Sequence, residues 1–194
     1  LFAALIHNLI GAASDCCRTT TEGGALQGTR DCDVRRESLH KVIVTGGLGF
    51  IGSYIVDGLL AAGREVEIID SMVTAVTDGK EYEAQGCQVR RQSVEDYLKH
   101  GGTFADAQWV VHAASCVGPA EILGHQGKLG AEIVNATQLV IEASIAADAA
   151  LIAFSSAEVY GRSGLLAETD AIVVPTAYNA RLEYAIAKTL TEAV

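Results

Sequence analysis

Basic residues are scarce in this chain of 194: 14 Lys and Arg stand against 24 Asp and Glu, a formal net charge of −10. A general nucleic-acid binder needs a basic face, and this composition does not offer one. Anionic ligands remain open, because a local helix end can hold an anion on an acidic surface. No apolar run approaches the ~20 residues of a membrane helix. Leu1–Ala13 is apolar but lacks a basic leader and a clear cleavage pattern, so it does not read as a signal peptide. The five cysteines, Cys16, Cys17, Cys32, Cys87 and Cys116, form neither a C-x-x-C pair nor an even framework. They read as reduced thiols of a cytoplasmic protein, with no metal site. Proline is limited to two residues, and the chain begins with Leu rather than Met, which suggests a fragment or a processed product. With 49% hydrophobic and 20% charged residues, the remaining reading is a soluble globular protein.

Two stretches differ in kind. Residues 1–40 hold a short apolar start, compatible with a helix over Leu1–Ile10, and then mix Thr, Gly, Cys and charge without a period. They read as an irregular N-terminal segment with no assigned chemistry. From 41 to 194 strand and helix patterns alternate. Strands are expected at Lys41–Thr45, Glu65–Asp70, Cys87–Arg91, Gln108–Ala113 and Ala150–Ser155. Helices are expected from Gly52 to near Gly63 (a C′ glycine), and over Val94–His100, Leu129–Ala147 and Asn179–Val194. A polar stretch, Ser71–Gly86, precedes the third strand, and a loop through Pro175 precedes the last helix. This alternation predicts an α/β fold, a doubly wound parallel sheet. The fifth strand is nearly all apolar, as expected when both of its faces are covered.

The stretch Lys41–Gly52, KVIVTGGLGFIG, runs an apolar strand into a glycine turn and a helix start. Such a turn lets a pyrophosphate approach the backbone at a partly positive helix end. Its glycines fit G-x-G-x-x-G from Gly47 and G-x-x-G-x-x-G from Gly46 equally well. Asp70 closes the second strand eighteen positions after Gly52, near the ~20 expected of a ribose-binding acid. No arginine follows it directly, which favours NAD over NADP. Two further segments can carry chemistry. In Tyr184-Ala185-Ile186-Ala187-Lys188 the phenol and the ammonium share a helix face, and the cation is expected to lower the phenol's pKa so that it can take a proton from a sugar hydroxyl. In Phe154-Ser155-Ser156-Ala157-Glu158-Val159-Tyr160-Gly161, Ser156 can hydrogen-bond a reacting oxygen and Glu158 can serve as a second acid or base.

TGGLGFIG, Asp70, VVHAAS at Val110–Ser115, FSSAEVYG and YAIAK follow the order and spacing of the extended short-chain dehydrogenase/reductases. The chain resembles their NAD-dependent epimerase/dehydratase branch, over about residues 41–194. The resemblance implies a Rossmann-type sheet of strand order 3-2-1-4-5 with NAD as cofactor. It implies that Gly46, Gly49, Phe50, Ile51 and Gly52 hold the pyrophosphate and Asp70 the ribose. Ser93 and Val94 would then lie near adenine, and Ala113 and Ala114 would line the cofactor. Ser156, Tyr184 and Lys188 match the catalytic Ser/Thr, Tyr and Lys, with Tyr184 and Lys188 also touching the cofactor. The implied substrate is a UDP- or dTDP-linked sugar, processed through a transient 4-keto sugar in a cytoplasmic homodimer.

Departures from the pattern narrow the reading. Ala157 stands where a 4,6-dehydratase needs an acid, which argues against that reaction. Arg181-Leu182-Glu183-Tyr184 resembles the Arg-x-x-Tyr of sugar-acid decarboxylases. Ser93 replaces a usual Asp, and Ile133 a frequent Asn. His112 reads as strand packing rather than a base, Cys116 as an inert thiol, and Asn135-Ala136-Thr137 as an unused sequon on a helix. Family members continue well past the Tyr-x-x-x-Lys helix, so the resemblance implies that a C-terminal substrate domain is missing here. The alternatives are a non-catalytic NAD-binding fragment and an NAD(P)-dependent ketone reductase of the same fold.

Overall fold

The computed structural model describes residues 41–116, 124–125, 127–161, 164–174 and 180–194. The expectations for residues 1–40 and for the loop at Pro175 lie outside the described residues. Among the described residues the elements follow in the order β1 (Lys41–Thr45), α1 (Phe50–Ala61), β2 (Glu65–Asp70), α2 (Lys80–Ala84), β3 (Gln88–Arg91), α3 (Val94–Lys99), β4 (Ala107–His112), α4 (Leu129–Ala146), β5 (Ala150–Ala153), a 3-10 turn (Ala157–Tyr160) and α5 (Ala180–Ala193). The strands form one sheet of order β3-β2-β1-β4-β5, and every pairing is parallel. This is the expected doubly wound architecture, in the expected strand order.

Alternate residues of the central strands feed two cores, as the period of two requires. Val42, Val44, Val66 and Ile68 pack under α1 with Ile55, Val56 and Leu59. Ile43, Ile69 and Val110 pack on the opposite face with Val94, Phe104 and Val140. A third cluster, Leu129, Ile133, Tyr184 and Ala187, joins α4 to α5. Gly63 takes the C′ position after α1 at φ +72°, as its place in the sequence indicates.

Two expectations need correction. The polar stretch after β2 contains a short helix, α2, whose Tyr82 is buried against the α1 face. The fifth strand is not covered on both sides: Ala150 and Ala153 are exposed, and Leu151 and Ile152 are half-buried. The reason is position, since β5 is the edge of the described sheet and pairs only with β4.

Candidate active site

The ends of β1, β2 and β4 meet at the glycine turn. Gly46 leaves β1 at φ +72°, and a Cβ there would lie 2.6 Å from the Ala114 nitrogen. A Cβ on Gly52 would lie 2.0 Å from the Gly46 carbonyl oxygen. Gly49 is the N-cap of α1 and offers no side-chain cap. Those positions are the G-x-x-G-x-x-G register, with Gly46 first. The N–H groups of Phe50, Ile51 and Gly52 lie in the first turn of α1, where helix geometry provides no internal partner. The Phe50 and Ile51 side chains are exposed, so what these residues bring to the turn is backbone.

Asp70 is buried at the end of β2 and faces this turn. Its Oδ2 accepts from the Leu48 N–H at 2.9 Å, and its Oδ1 from the Met72 N–H at 2.7 Å. Each oxygen retains acceptor capacity, the equipment needed for two ribose hydroxyls. Ser93 caps α3, its Oγ accepting from the Asp96 N–H at 3.0 Å, and Val94 is buried in the sheet core.

Ala113 and Ala114 are fixed from β1: the Ala113 N–H donates to the Thr45 carbonyl at 3.0 Å and the Ala114 N–H to Thr45 Oγ1 at 3.4 Å. Thr45 Oγ1 also lies 2.7 Å from His112 Nδ1, and Thr137 Oγ1 lies 3.4 Å from His112 Nε2 while donating to the Ile133 carbonyl. The Thr137 proton is thus spent, so His112 donates from Nε2 and accepts at Nδ1 from Thr45. Burial, with the charge of Lys188 second, pushes His112 down to about 4. A neutral, doubly bonded imidazole that ties β1, β4 and α4 together is structural, as the sequence suggested.

The implied NAD can be tested against these atoms. The turn is a cradle in which a Cβ at Gly46 or Gly52 would collide with backbone. Ser115 Oγ, just past Ala114, is buried and has no hydrogen-bond partner among the described residues. A backbone cradle, an unspent buried hydroxyl and an acid with acceptor capacity fit a pyrophosphate-linked dinucleotide. Among the described residues no group of three or more His, Cys, Asp or Glu could hold a metal.

The second half of the site lies past β5. Ser156 caps the 3-10 turn, its Oγ accepting from the Glu158 N–H at 3.3 Å. Tyr184 and Lys188 are both buried on α5. Lys188 Nζ donates to the Phe154 carbonyl at 2.8 Å, which pins the helix to the end of the sheet, and burial lowers its pKa. The expectation that Lys188 lowers the Tyr184 phenol is not met. Burial raises Tyr184, the Ser156 hydrogen bond works against it, and the Glu158 charge adds to the rise. Ser156, Glu158 and Tyr184 are therefore neighbours, while the ammonium is turned to a backbone carbonyl. Glu158 pairs with the Arg181 guanidinium rather than standing free in a loop.

Two features escaped the sequence reading. Glu183 accepts from the Gly127 N–H and the Gly130 N–H, both at 2.9 Å, and so caps α4 from a neighbouring helix. The N-cap of α4 itself, Lys128, provides no side-chain cap. The Thr45–His112–Thr137 chain was likewise invisible, since nothing local marks a threonine 67 positions away as the partner of a histidine.

A glycine cradle at the carboxyl end of β1, an acid ending β2 and a 3-2-1-4-5 parallel sheet define a Rossmann-type fold. The chain belongs to the NAD dependent epimerase/dehydratase family, whose model matches residues 42–194. It is 26% identical over 153 residues to the UDP-N-acetyl-alpha-D-glucosaminuronate decarboxylase of Bacillus cytotoxicus, covering 78% of this chain and 48% of that protein. The UDP-Glc/GlcNAc 4-epimerase of Campylobacter jejuni superposes with a TM-score of 0.66 at 21% identity, over 79% of this chain and 47% of that one. MoeE5, solved with UDP-glucuronic acid and NAD, superposes with a TM-score of 0.61 at 25% identity, over 79% of this chain and 47% of that one. The chain thus spans about half the length of these proteins.

Proposed function

We propose that residues 41–194 form the NAD-binding unit of a nucleotide-sugar epimerase or decarboxylase, with residues 1–40 outside that unit. Gly46, Gly49, Gly52 and the first-turn N–H groups of Phe50 and Ile51 would hold the pyrophosphate of NAD and Asp70 the ribose. Ser93 and Val94 would border the adenine, and Ala113 and Ala114 the floor. When bound, NAD supplies a hydride acceptor and donor at the sugar's C4, so that a 4-keto sugar is the transient species.

The protein's own part is proton handling. Tyr184 takes the proton of the 4-hydroxyl, Ser156 shares that hydrogen bond, and Lys188 holds α5 against β5. Glu158 is the second acid or base. The observation that carries this reading is the meeting of Ser156, Glu158 and Tyr184 beyond the carboxyl end of β5, in the same sheet as the glycine cradle. That is where ligands bind open α/β sheets. Ala157 leaves no acid for 4,6-dehydration, which favours epimerisation or decarboxylation. The substrate class, a UDP- or dTDP-sugar, and assembly of the complete protein as a cytoplasmic homodimer belong to the same proposal.

The test is turnover of UDP- and dTDP-sugars in the presence of NAD, with NADH followed by absorbance. Product without accumulating NADH supports the sugar cycle, and accumulating NADH supports a ketone reductase instead. Tyr184→Phe should lower turnover by about 10²–10⁴ while NAD binding is kept; unchanged turnover sinks the assignment. A second reading is an NAD-binding unit without turnover of its own, motivated by a Tyr184 phenol that burial and then the Glu158 charge raise, so that it gives up its proton less readily. NAD binding with no product from any sugar nucleotide would support it.

A further inference from the structure

Helix α1 carries an exposed aromatic and acidic stripe that neither the core nor the acid–base assignments use. Phe50, Tyr54 and Asp57 recur at i, i+4 and i+7, so they share one helix face. The Phe50 and Tyr54 rings meet edge to face with centroids 5.6 Å apart, and the two residues are 69% and 68% exposed. The stripe forms one wall of an open groove of about 350 Å³, whose other wall comes from Val76, Thr77 and, on α2, Glu81. Both walls are held in place. The Tyr82 hydroxyl, from α2, lies 3.0 Å from Asp57 Oδ1 and 3.3 Å from the Ser53 carbonyl, and the Val76 N–H donates to the Leu48 carbonyl at 2.8 Å. The groove is therefore formed before anything enters it.

Its charge is of one sign. Asp57 and Glu81 line it, no Lys or Arg does, and neither acid takes part in an ion pair among the described residues. The cations nearest in sequence to Glu81 and at the end of β3 are already engaged, Lys80 by Asp78 at 2.8 Å and Arg91 by Glu83 at 2.7 Å. Both groove acids are felt at the Tyr82 phenol, which burial first, then Asp57, with Cys87 and Glu81 adding, pushes up to about 12. An exposed ring face attracts a cation, and a guanidinium suits this one best because it is planar, weakly hydrated and offers donors along its edges to flanking carboxylates. The same two acids repel phosphate, and a formal net charge of −10 disfavours a second copy of the chain. We propose that the groove between α1 and α2 receives an arginine side chain from a basic segment of another protein. The guanidinium lies against the Phe50–Tyr54 pair and between Asp57 and Glu81, with its aliphatic stem along Val76. A free cation would bear the whole cost of association for one contact, whereas a peptide spreads that cost over neighbouring residues. The site is separate from that proposed for NAD, which uses the Phe50 backbone and not its ring, and it stands or falls apart from the nucleotide-sugar reading.

The experiment is fluorescence anisotropy of a labelled, end-capped peptide of sequence GARARAG titrated with the 194-residue chain. The same peptide with citrulline for arginine, which keeps the shape and loses the charge, should bind about tenfold more weakly. A lysine version should fall between the two, and added salt should weaken the arginine peptide. Asp57→Asn and Glu81→Gln should each weaken the arginine peptide several-fold and leave the citrulline peptide unchanged. Tyr54→Ala should weaken it about threefold, in the range of an exposed cation–π contact. Glu81→Gln, at an exposed residue, keeps the test available should Asp57→Asn loosen the Tyr82 bond. No binding of the arginine peptide, equal binding of the citrulline peptide, or native affinity in the Asp57→Asn and Glu81→Gln variants together each overturns the inference. Free arginine amide binding as tightly as the peptide overturns the peptide-borne occupant. Peptide binding that appears only after Arg18, Arg30, Arg35 and Arg36 are changed to Gln assigns the groove to the chain's own residues 1–40 and overturns the second protein. Tm, measured for every variant, reports that the fold is intact.

Discussion

Two glycines six residues apart in α1 should respond to alanine with opposite signs. A methyl group on Gly52 would sit 2.0 Å from the Gly46 carbonyl oxygen and 2.8 Å from the Gly47 Cα, both backbone atoms of the turn. The start of α1 must then back away by about 1 Å, because Cβ contacts shorter than 3.0 Å essentially never occur. That movement takes with it the Gly49 N–H to Gly46 carbonyl bond of 3.2 Å and the first-turn N–H groups. Overpacking against rigid neighbours costs about 3 kcal/mol at the upper end of the usual range. For a domain of this size that is a fall in Tm of about 6–12 °C. Gly58 lies in the same helix, and a Cβ there meets nothing within 4 Å. Replacing glycine by alanine in a helix interior gains about 1 kcal/mol, so Gly58→Ala should raise Tm by about 2–4 °C. Scanning calorimetry with NAD titration reads both effects. Gly52→Ala should lose NAD binding and Gly58→Ala should keep it. A Gly52→Ala protein with native Tm and native NAD affinity would refute the steric account of the turn.

Three further tests concern charge and burial. Glu67 is buried in β2 with Lys41 Nζ at 2.6 Å and Arg90 Nε at 2.9 Å; burial alone would raise its pKa, and the two cations more than reverse this. Glu67→Gln should cost about 2 kcal/mol in urea unfolding at pH 7, and the difference from native should shrink below pH ~4.5, because a depressed carboxyl contributes stability only where it is ionised. His112, pushed down to about 4, works in the same direction over a higher window. Its unfolded form takes a proton near pH 6.5 and its folded form does not, so stability falls as pH drops from 6.5 toward 4, by roughly 3 kcal/mol in all. His112→Gln should flatten the limb between pH 6.5 and 4.5, and a native profile in that variant would count against the neutral imidazole. Glu183 is held below the usual carboxylate range by the Gly130 N–H and then the Gly127 N–H. Glu183→Ala should cost about 1 kcal/mol, as loss of a cap does, and speed hydrogen exchange at those two amides; unchanged exchange there removes the cap from the account.

The fold was legible because its signals are local and repeat. Lys41–Thr45 and Glu65–Asp70 were read to the residue, since a β-branched run bounded by a glycine or an acid has few other interpretations. The helix from Leu129 was misjudged by one residue at its end, as frayed termini allow. What failed was context. β5 is apolar because β4 and the helices beside it need apolar neighbours, yet its place at the sheet edge is a property of the topology and not of its own four residues. The short α2 was hidden in a polar stretch because its packing depends on one residue, Tyr82, whose hydroxyl finds Asp57 at 3.0 Å across 25 positions. In the site, residue types were readable and their partners were not. Tyr184 and Lys188 stand out by spacing, whereas the carbonyl of Phe154 that receives the ammonium carries no sequence signal at all.

Those partners alter the chemistry more than the positions do. A phenol expected to be lowered by its neighbouring lysine is raised by burial, and the Glu158 charge adds to that rise. Moving the glutamate away from the phenol therefore acts in the same direction as bringing a cation toward it. Lys188, bonded to the end of β5, is a fixed point, so the adjustable charge at the site is the Glu158–Arg181 pair. Its cation is on the solvent side and its anion on the phenol side. The same α5 turn carries Glu183, which clamps α4 through two backbone N–H groups. The helix that bears Arg181 and Tyr184 is thus held at its first turn by Glu183 and further along by Lys188.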